Sequence, residues 1–488
     1  MKKLIIAMSF LATVLAGCNK VPAETPAEPV DGRRLVTIYA DSGSIESKTT
    51  YANDKTFGWE AGDKISVLFH NSSDENLWVT FEAQSSGTSS AFTAMVDADL
   101  TEGAAGEGGS KWAMYPASAN HVYTNETTLG FSLEAGQDGN TPKIPMIANV
   151  ATSSSSTYHF HQLGGAIKFT VNNIRSDVSR LKISLSSLWG TDTRFVSGVF
   201  NVTDPATETP SISHDNLRSG GSKFTHVFAD VDASHNAVAY MPLPVFDIWP
   251  DYCITVSDAT SGAILYQKTL GSGAGNINVQ RSKITRLNTL TLPNVSASSA
   301  LIKADGFFGD WASAEGVVSK NYNTGSQPFD LKVVSDGENI WFYHKLYGNK
   351  FTLTSNGRIS NLSFDLDNKI TTGDTGSWWG KGCEYSISYD FYTANARMPR
   401  STFGYVEAQE YNSTSSAWAS SSFDASSVVW GAAMDSSDNI MIEWGTTLAS
   451  LGITPGSTIG IGFVAGSPEC TSENQLLSVT IPAAPATP

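Results

Sequence analysis

The stretch Trp59-Glu-Ala-Gly-Asp-Lys-Ile-Ser-Val-Leu-Phe69 places a Gly-Asp pair directly before a run of β-branched and apolar residues. Gly62-Asp63 reads as a tight hairpin signal, because glycine reaches positive φ freely and aspartate bonds its own backbone. Lys64 to Phe69 then reads as a strand, with Trp59 set to pack its indole on the sheet. The same signature recurs at Leu35–Tyr39, Ala166–Val171, Leu181–Leu185 and Cys253–Val256, each bounded by Gly, Ser, Asn or Asp. After the first twenty residues no segment of a dozen carries a helical apolar period. With 42 Gly and abundant Ser and Thr, the pattern predicts an all-β chain of sandwiches. Roughly 470 residues suggest about three of them.

Two composition shifts divide the chain. The sharper is Leu292-Pro-Asn-Val-Ser-Ala-Ser-Ser-Ala300, a small-residue run. Seven of the 12 Trp follow it, and the tail holds 19 Asp or Glu against 10 Lys or Arg. A softer shift sits at Ala151-Thr-Ser-Ser-Ser-Ser-Thr157. The expected units are residues 33–157 and 158–293, two sandwiches, and 300–488, a module with its own chemistry.

The N-terminus reads Met1-Lys2-Lys3, an apolar run to Leu15, then Ala16-Gly17-Cys18. A short basic region and an apolar core too short to span a bilayer mark residues 1–17 as a secretory signal. Leu15-Ala-Gly-Cys18 resembles the bacterial lipobox, which implies acylation of Cys18 and an outer-membrane lipoprotein facing the cell surface. Several acyl chains hold a protein stably where one does not. Residues 18–32, with three prolines among Asn19–Val30, suit an extended spacer. Contact with membrane is expected through the lipid anchor alone.

Losing Lys2 and Lys3 moves the formal charge from −16 to −18. So acidic a chain argues against nucleic-acid binding, which needs clustered cations to displace counterions. It argues equally against docking on anionic lipid through a basic face. Of the later cysteines, Cys253, Cys383 and Cys470, the last two share the tail and are the candidate disulfide pair.

Three motifs carry a resemblance in the first part. Thr49-Thr-Tyr51 followed by Trp59-Glu-Ala-Gly-Asp-Lys-Ile65, then Pro145–Ala148 with Phe160–Phe169, and Val279–Ile284 resemble the fimbrillin-like proteins of Bacteroidetes. The resemblance spans about 33–293. It implies two transthyretin-like sandwiches and raises assembly by strand donation into a sheet edge. This chain continues for almost 200 residues beyond that region, which suits a tip or accessory protein better than a shaft. His159 and His161 would share a strand face as a possible ligand pair, but no third ligand stands at a suggestive spacing, so a structural pair is expected.

In the tail, Leu301–Trp311, Asp330–Tyr343, Ser363–Gly380, Gly382–Tyr385 and Ile440–Leu451 occur in an order that resembles the family 9 carbohydrate-binding modules. That resemblance spans about 300–484 and implies a third β-sandwich that binds sugar without cleaving it. From the residues themselves, Ser363, Asp365 and Asp367 alternate onto one face while Phe364 and Leu366 turn to the core. Two carboxylates beside Asn368 and Asp374 repel unless a cation or a donor lies between them. Glu384 could add a third from the next strand. Oxygen ligands of this kind suit a structural Ca²⁺, while a polar turn whose acids cap backbone N–H groups is the alternative. An EF-hand is excluded, because Lys369 and Ile370 occupy positions that need a ligand and a glycine.

Sugar recognition combines flat apolar faces with polar groups. Trp378 and Trp379, in a Gly-rich loop, and Trp418, in another polar loop, are the candidate platforms. Trp311, Trp341 and Trp444 lie in regular strand patterns and are expected in the core. No H-E-x-x-H, G-x-S-x-G or phosphate-binding loop occurs, which leaves an enzyme the least favoured class. The expected function is a lipid-anchored, non-catalytic surface protein that binds polysaccharide or host glycan through its tail. The alternative is an adhesin, or a fimbrial tip or accessory subunit, working by protein–protein contact within a surface complex.

Overall fold

The computed structural model describes residues 32–42, 58–106, 109–150, 157–187, 194–248, 252–269, 277–293, 300–322, 329–348, 358–374, 382–393, 398–465 and 476–484. They form an all-β protein in three regions, with a single turn of α-helix at Asp310–Ser313. Among the described residues no helix is long and apolar enough to cross a membrane. Cys18 and Cys470 lie outside them.

Lys64–His70 lies near the middle of a nine-stranded sheet. It pairs with Asn76–Ala83 on one side and Lys111–Tyr115 on the other. Its five central residues are all buried. Ile65, Val67 and Phe69 enter one core while Leu68 enters another on the opposite face. A strand covered on both sides tolerates a run that is apolar on both faces. The one polar member, Ser66, donates to Ser118 O and accepts from Ser118 N.

Trp59 is 2% exposed and packs edge-on against Phe92, Tyr115 and Phe160 at 5.0–5.3 Å. Its Nε1 donates to Ala40 O at 3.1 Å. The Gly62-Asp63 turn forms, with Gly62 at φ 91° and Glu60 N donating to Asp63 Oδ2. It does not join a hairpin: Trp59 bridges Gly87, whereas the following strand pairs with Asn76–Ala83. Turn chemistry is local, but the partner strand is chosen by burial.

The first two regions interleave. Thr157–His159 pairs in parallel with Arg33–Asp41, and His161–Gln162 pairs with Met146–Val150, so residues 157–162 complete the first sheet. In return Thr128–Leu133 pairs with Ser197–Asn201, and Gly136–Asp138 pairs with Phe224–Asp230. His159 is exposed and its Nδ1 pairs with the Asp41 carboxylate. Burial holds the His161 imidazole below its usual pKa.

The third region packs two sheets around one core. One runs Val318–Tyr322, Phe329–Ser335, Asn339–Leu346, Ile440–Thr447, Val429–Met434. The other runs Ala417–Ser421, Met398–Asn412, Tyr385–Thr393, Arg358–Asp365, Thr458–Ala465, Leu477–Thr480. Phe342, Phe364, Tyr389 and Trp444 fill the space between. Trp311, Trp341 and Trp444 are all buried, although Trp311 sits on the helical turn and not on a strand.

That turn is pinned by a carboxylate. Glu443, fully buried, accepts from Trp311 Nε1 and from Gly306 N, both at 2.7 Å. Burial, ahead of all other causes, pushes its pKa from 4.5 up to about 8. The two hydrogen bonds act in the opposite sense and are outweighed.

Candidate functional site

The strand Arg358–Asp365 runs between Tyr385–Thr393 and Thr458–Ala465, so its final residue stands where three strands end or begin. Phe364 and Leu362 point into the core, and Ser363 and Asp365 point the other way, in keeping with the alternation read from the sequence. Asp365 is nevertheless 1% exposed. The strand stops there. Asp367 reaches the same place through a turn, in which Asn368 takes φ 55°, and Glu384 arrives just before the neighbouring strand.

The carboxylate oxygens of Asp365, Asp367 and Glu384 come within 4.8 Å of one another. Bare backbone makes the room. A Cβ on Gly382 would lie 3.0 Å from Asp365 Oδ2, and one on Gly373 would lie 2.7 Å from Glu384 Oε1. Both glycines also hold positive φ, so a side chain at either is excluded twice over.

Donors reach part of this charge. Lys369 N donates to Asp365 Oδ1 and Asp367 Oδ1, each at 3.0 Å. The Thr372 hydroxyl donates to Asp367 Oδ1 at 2.9 Å. Leu366 N donates to Glu384 Oε2 at 2.8 Å. Glu384 Oε1, by contrast, is buried and meets no hydrogen-bond geometry among the described residues, although the nearby Thr372 hydroxyl acts to lower the pKa of this carboxyl. Burial first, then the charges of Asp365 and Asp367, raise the Glu384 pKa from 4.5 to about 7. Asp365 is raised by the same burial and by Asp367. Three carboxylates this close, one oxygen of which has no donor among the described residues, fit a hard divalent cation, whose charge would offset their mutual repulsion.

Asp374 belongs to a different set of contacts. It is 4% exposed, forms a β-bridge with Cys383, and its Oδ2 accepts from Trp418 Nε1 at 2.8 Å. The ring of Trp418 is half-buried and meets Tyr411 edge-on at 5.6 Å. Asp374 therefore orients an indole and stands apart from the three-carboxylate group. This link between residues 374 and 418 has no signature in the sequence, because 44 positions separate the partners.

Trp378 and Trp379 lie outside the described residues. The described residues on either side of them are joined: Asp374 N donates to Cys383 O at 2.9 Å and Gly382 N donates to Asp374 O at 2.8 Å. Cys383 is buried. Trp430, unassigned from sequence, is half-buried and donates from Nε1 to Arg400 O at 2.8 Å.

No protein-family model matches the chain, and no curated protein matches it. Among solved structures, a candidate cell adhesion protein from Bacteroides ovatus aligns with 53% of this chain and 93% of its own, at 15% identity and a TM-score of 0.28. The fimbrial anchor protein Mfa2 from Porphyromonas gingivalis aligns with 48% of this chain and 82% of its own, at 11% identity and a TM-score of 0.22. A family 9 carbohydrate-binding module from Caldicellulosiruptor kristjanssonii, in complex with cellotriose, aligns with 38% and 78%, at 12% identity and a TM-score of 0.19. Likeness this slight assigns the chain to no family.

Proposed function

We propose that this chain is a non-catalytic surface lipoprotein, anchored through Cys18, whose third region binds glycan through Trp378, Trp379 and Trp418. The observation that carries the reading is the Asp374–Trp418 bond. Asp374 holds one indole by its Nε1, and in sequence it stands four and five positions before Trp378 and Trp379. The Trp418 indole, held beside carboxylate and hydroxyl groups, supplies an apolar and a polar half of a sugar site. In this reading Asp365, Asp367 and Glu384 hold a structural Ca²⁺, with Asn368 shaping the turn, and the ion stiffens the base on which the loop stands. Affinity electrophoresis of the full chain against a panel of polysaccharides tests it. Retardation that is lost in Trp378→Ala or Trp379→Ala is expected. Migration unaffected by every polysaccharide refutes it.

A second reading rests on a separate observation. Arg33–Asp41 pairs along its whole length with Ser89–Asp97 on one side. On its other side only Tyr39–Asp41 pairs, with Thr157–His159, which leaves 33–38 an open edge among the described residues. Leu35 and Met95, cross-strand neighbours, are each 50% exposed. An open edge with apolar neighbours accepts an added strand, as an adhesin or fimbrial accessory subunit requires. Polymers formed after proteolysis near Arg33-Arg34 support this reading, and a persistent monomer opposes it.

A further inference from the structure

The junction between the second and third regions holds a cleft of about 480 Å³, lined by residues of both. We propose that it is a second ligand site, separate from the tryptophan loop, and that it takes a neutral sugar carrying an apolar substituent, of the N-acetylhexosamine kind.

The cleft is built on a rigid seam. Ala263 forms an antiparallel bridge with Ala433, and Met434 N donates to Gly262 O at 3.3 Å. Gln267 Nε2 donates to Pro399 O at 3.2 Å. Contact is so close that a Cβ on Gly262 would lie 2.1 Å from Met434 O, and one on Gly306 would lie 3.3 Å from Ala263 Cβ. Walls held this firmly lose little freedom on binding, which is the condition for affinity from a small contact area. The volume lies within the roughly 300–1,000 Å³ of small-molecule pockets, which favour domain junctions.

The lining sets the ligand class. Trp430 offers an aromatic surface whose orientation is fixed by its bond to Arg400 O and by edge contact with Phe403 at 5.5 Å. Ile264 and Val429 extend the apolar wall, which suits an acetamido methyl better than another hydroxyl. Also in the lining, Arg175 Nη1 donates to Asp305 Oδ2 at 2.7 Å while Nη2 donates to Asp177 Oδ2 at 2.8 Å, and the guanidinium lies 4.0 Å over Phe307. Two carboxylates thus balance Arg175 and the neighbouring Lys303. A charged ligand gains no net attraction there, whereas hydroxyl and carbonyl groups find fixed donors and acceptors.

Calorimetry on the full chain with N-acetylglucosamine, N-acetylgalactosamine, glucuronic acid and spermidine tests this. Val429 is 46% exposed, so Val429→Trp fills the cleft without disturbing the core, and Ser401→Phe is a second occluding variant. One of the two N-acetylhexosamines is expected to bind, and each occluding variant to weaken it about tenfold or more. Trp378→Ala with Trp379→Ala is expected to leave that binding unchanged, so this proposal and the tryptophan-loop reading fail independently. Absence of N-acetylhexosamine binding at about 10 mM, or binding untouched by both occluding variants, overturns the site. Tighter binding of glucuronic acid or spermidine overturns the ligand class.

Discussion

Glu443→Gln replaces a buried carboxyl by an amide of nearly the same shape, and its effect on stability should change with pH. The folded state holds the Glu443 pKa near 8, against an ordinary 4.5. The folded protein therefore binds more protons than the unfolded chain between those values, and stability contributed by this residue falls as pH rises through that window. Well below pH 4.5, wild type carries the proton in both states. The amide then matches it, since neither group can accept both from Gly306 N and Trp311 Nε1 without turning one donor toward another. At pH 8 the difference of about 3.5 pKa units, each near 1.36 kcal/mol and reduced because the folded carboxyl is then half ionised, favours the amide by about 4 kcal/mol. His344, held near 3, and His121 and His226, held near 4, slope the other way, because burial keeps them neutral in the fold. Only the difference between variant and wild type isolates Glu443. Urea unfolding followed by tryptophan fluorescence from pH 5 to 8 measures it. A variant that is less stable by the same amount at both ends refutes the reasoning, for it would mean that the two N–H bonds keep the carboxylate ionised.

Titrating Ca²⁺ into the full chain at pH 7.5 should raise the midpoint of thermal unfolding, by about 2.7 kcal/mol of stabilisation once Ca²⁺ stands a hundredfold above its Kd. Asp365→Asn should abolish the rise, and a flat titration in wild type would rule out the cation. Trp59→Ala removes three edge-on ring contacts and the bond to Ala40 O, and should cost about 3–5 kcal/mol in urea unfolding. A loss below about 1 kcal/mol would show that the surrounding strands collapse into the space. Trp418→Phe keeps the ring contact with Tyr411 but leaves Asp374 without its indole donor, a loss of about 1.5–3 kcal/mol for a hydrogen bond to a charged group. Asp374→Asn should soften that loss, and additive effects in the double variant would show that the two side chains do not cooperate.

The all-β class was legible in the sequence because its signals are local. Gly, Asn and Asp clusters bound segments of β-branched residues, and Lys64–Phe69 announced a strand by its run of apolar residues, although its coverage on both faces came from the tertiary structure. The burial of Trp341 and Trp444 followed from the same periodicity, whereas Asp367, expected on the face of Asp365 by alternation, reaches it through a turn after the strand has ended. Pairing partners were another matter. Whether Gly62-Asp63 joins two paired strands, which residues cross between the first two regions, and where Glu384 Oε1 is left without a donor all depend on burial against segments far away in the chain. Asp374 illustrates the limit most sharply. Its spacing groups it with the acids at 365 and 367, yet a tryptophan 44 residues later takes its carboxylate. Side-chain type and period are written residue by residue. Which carboxylate faces a cation, which one holds an indole and which one keeps a proton are decided by what the folded chain brings beside it and how much water it shuts out.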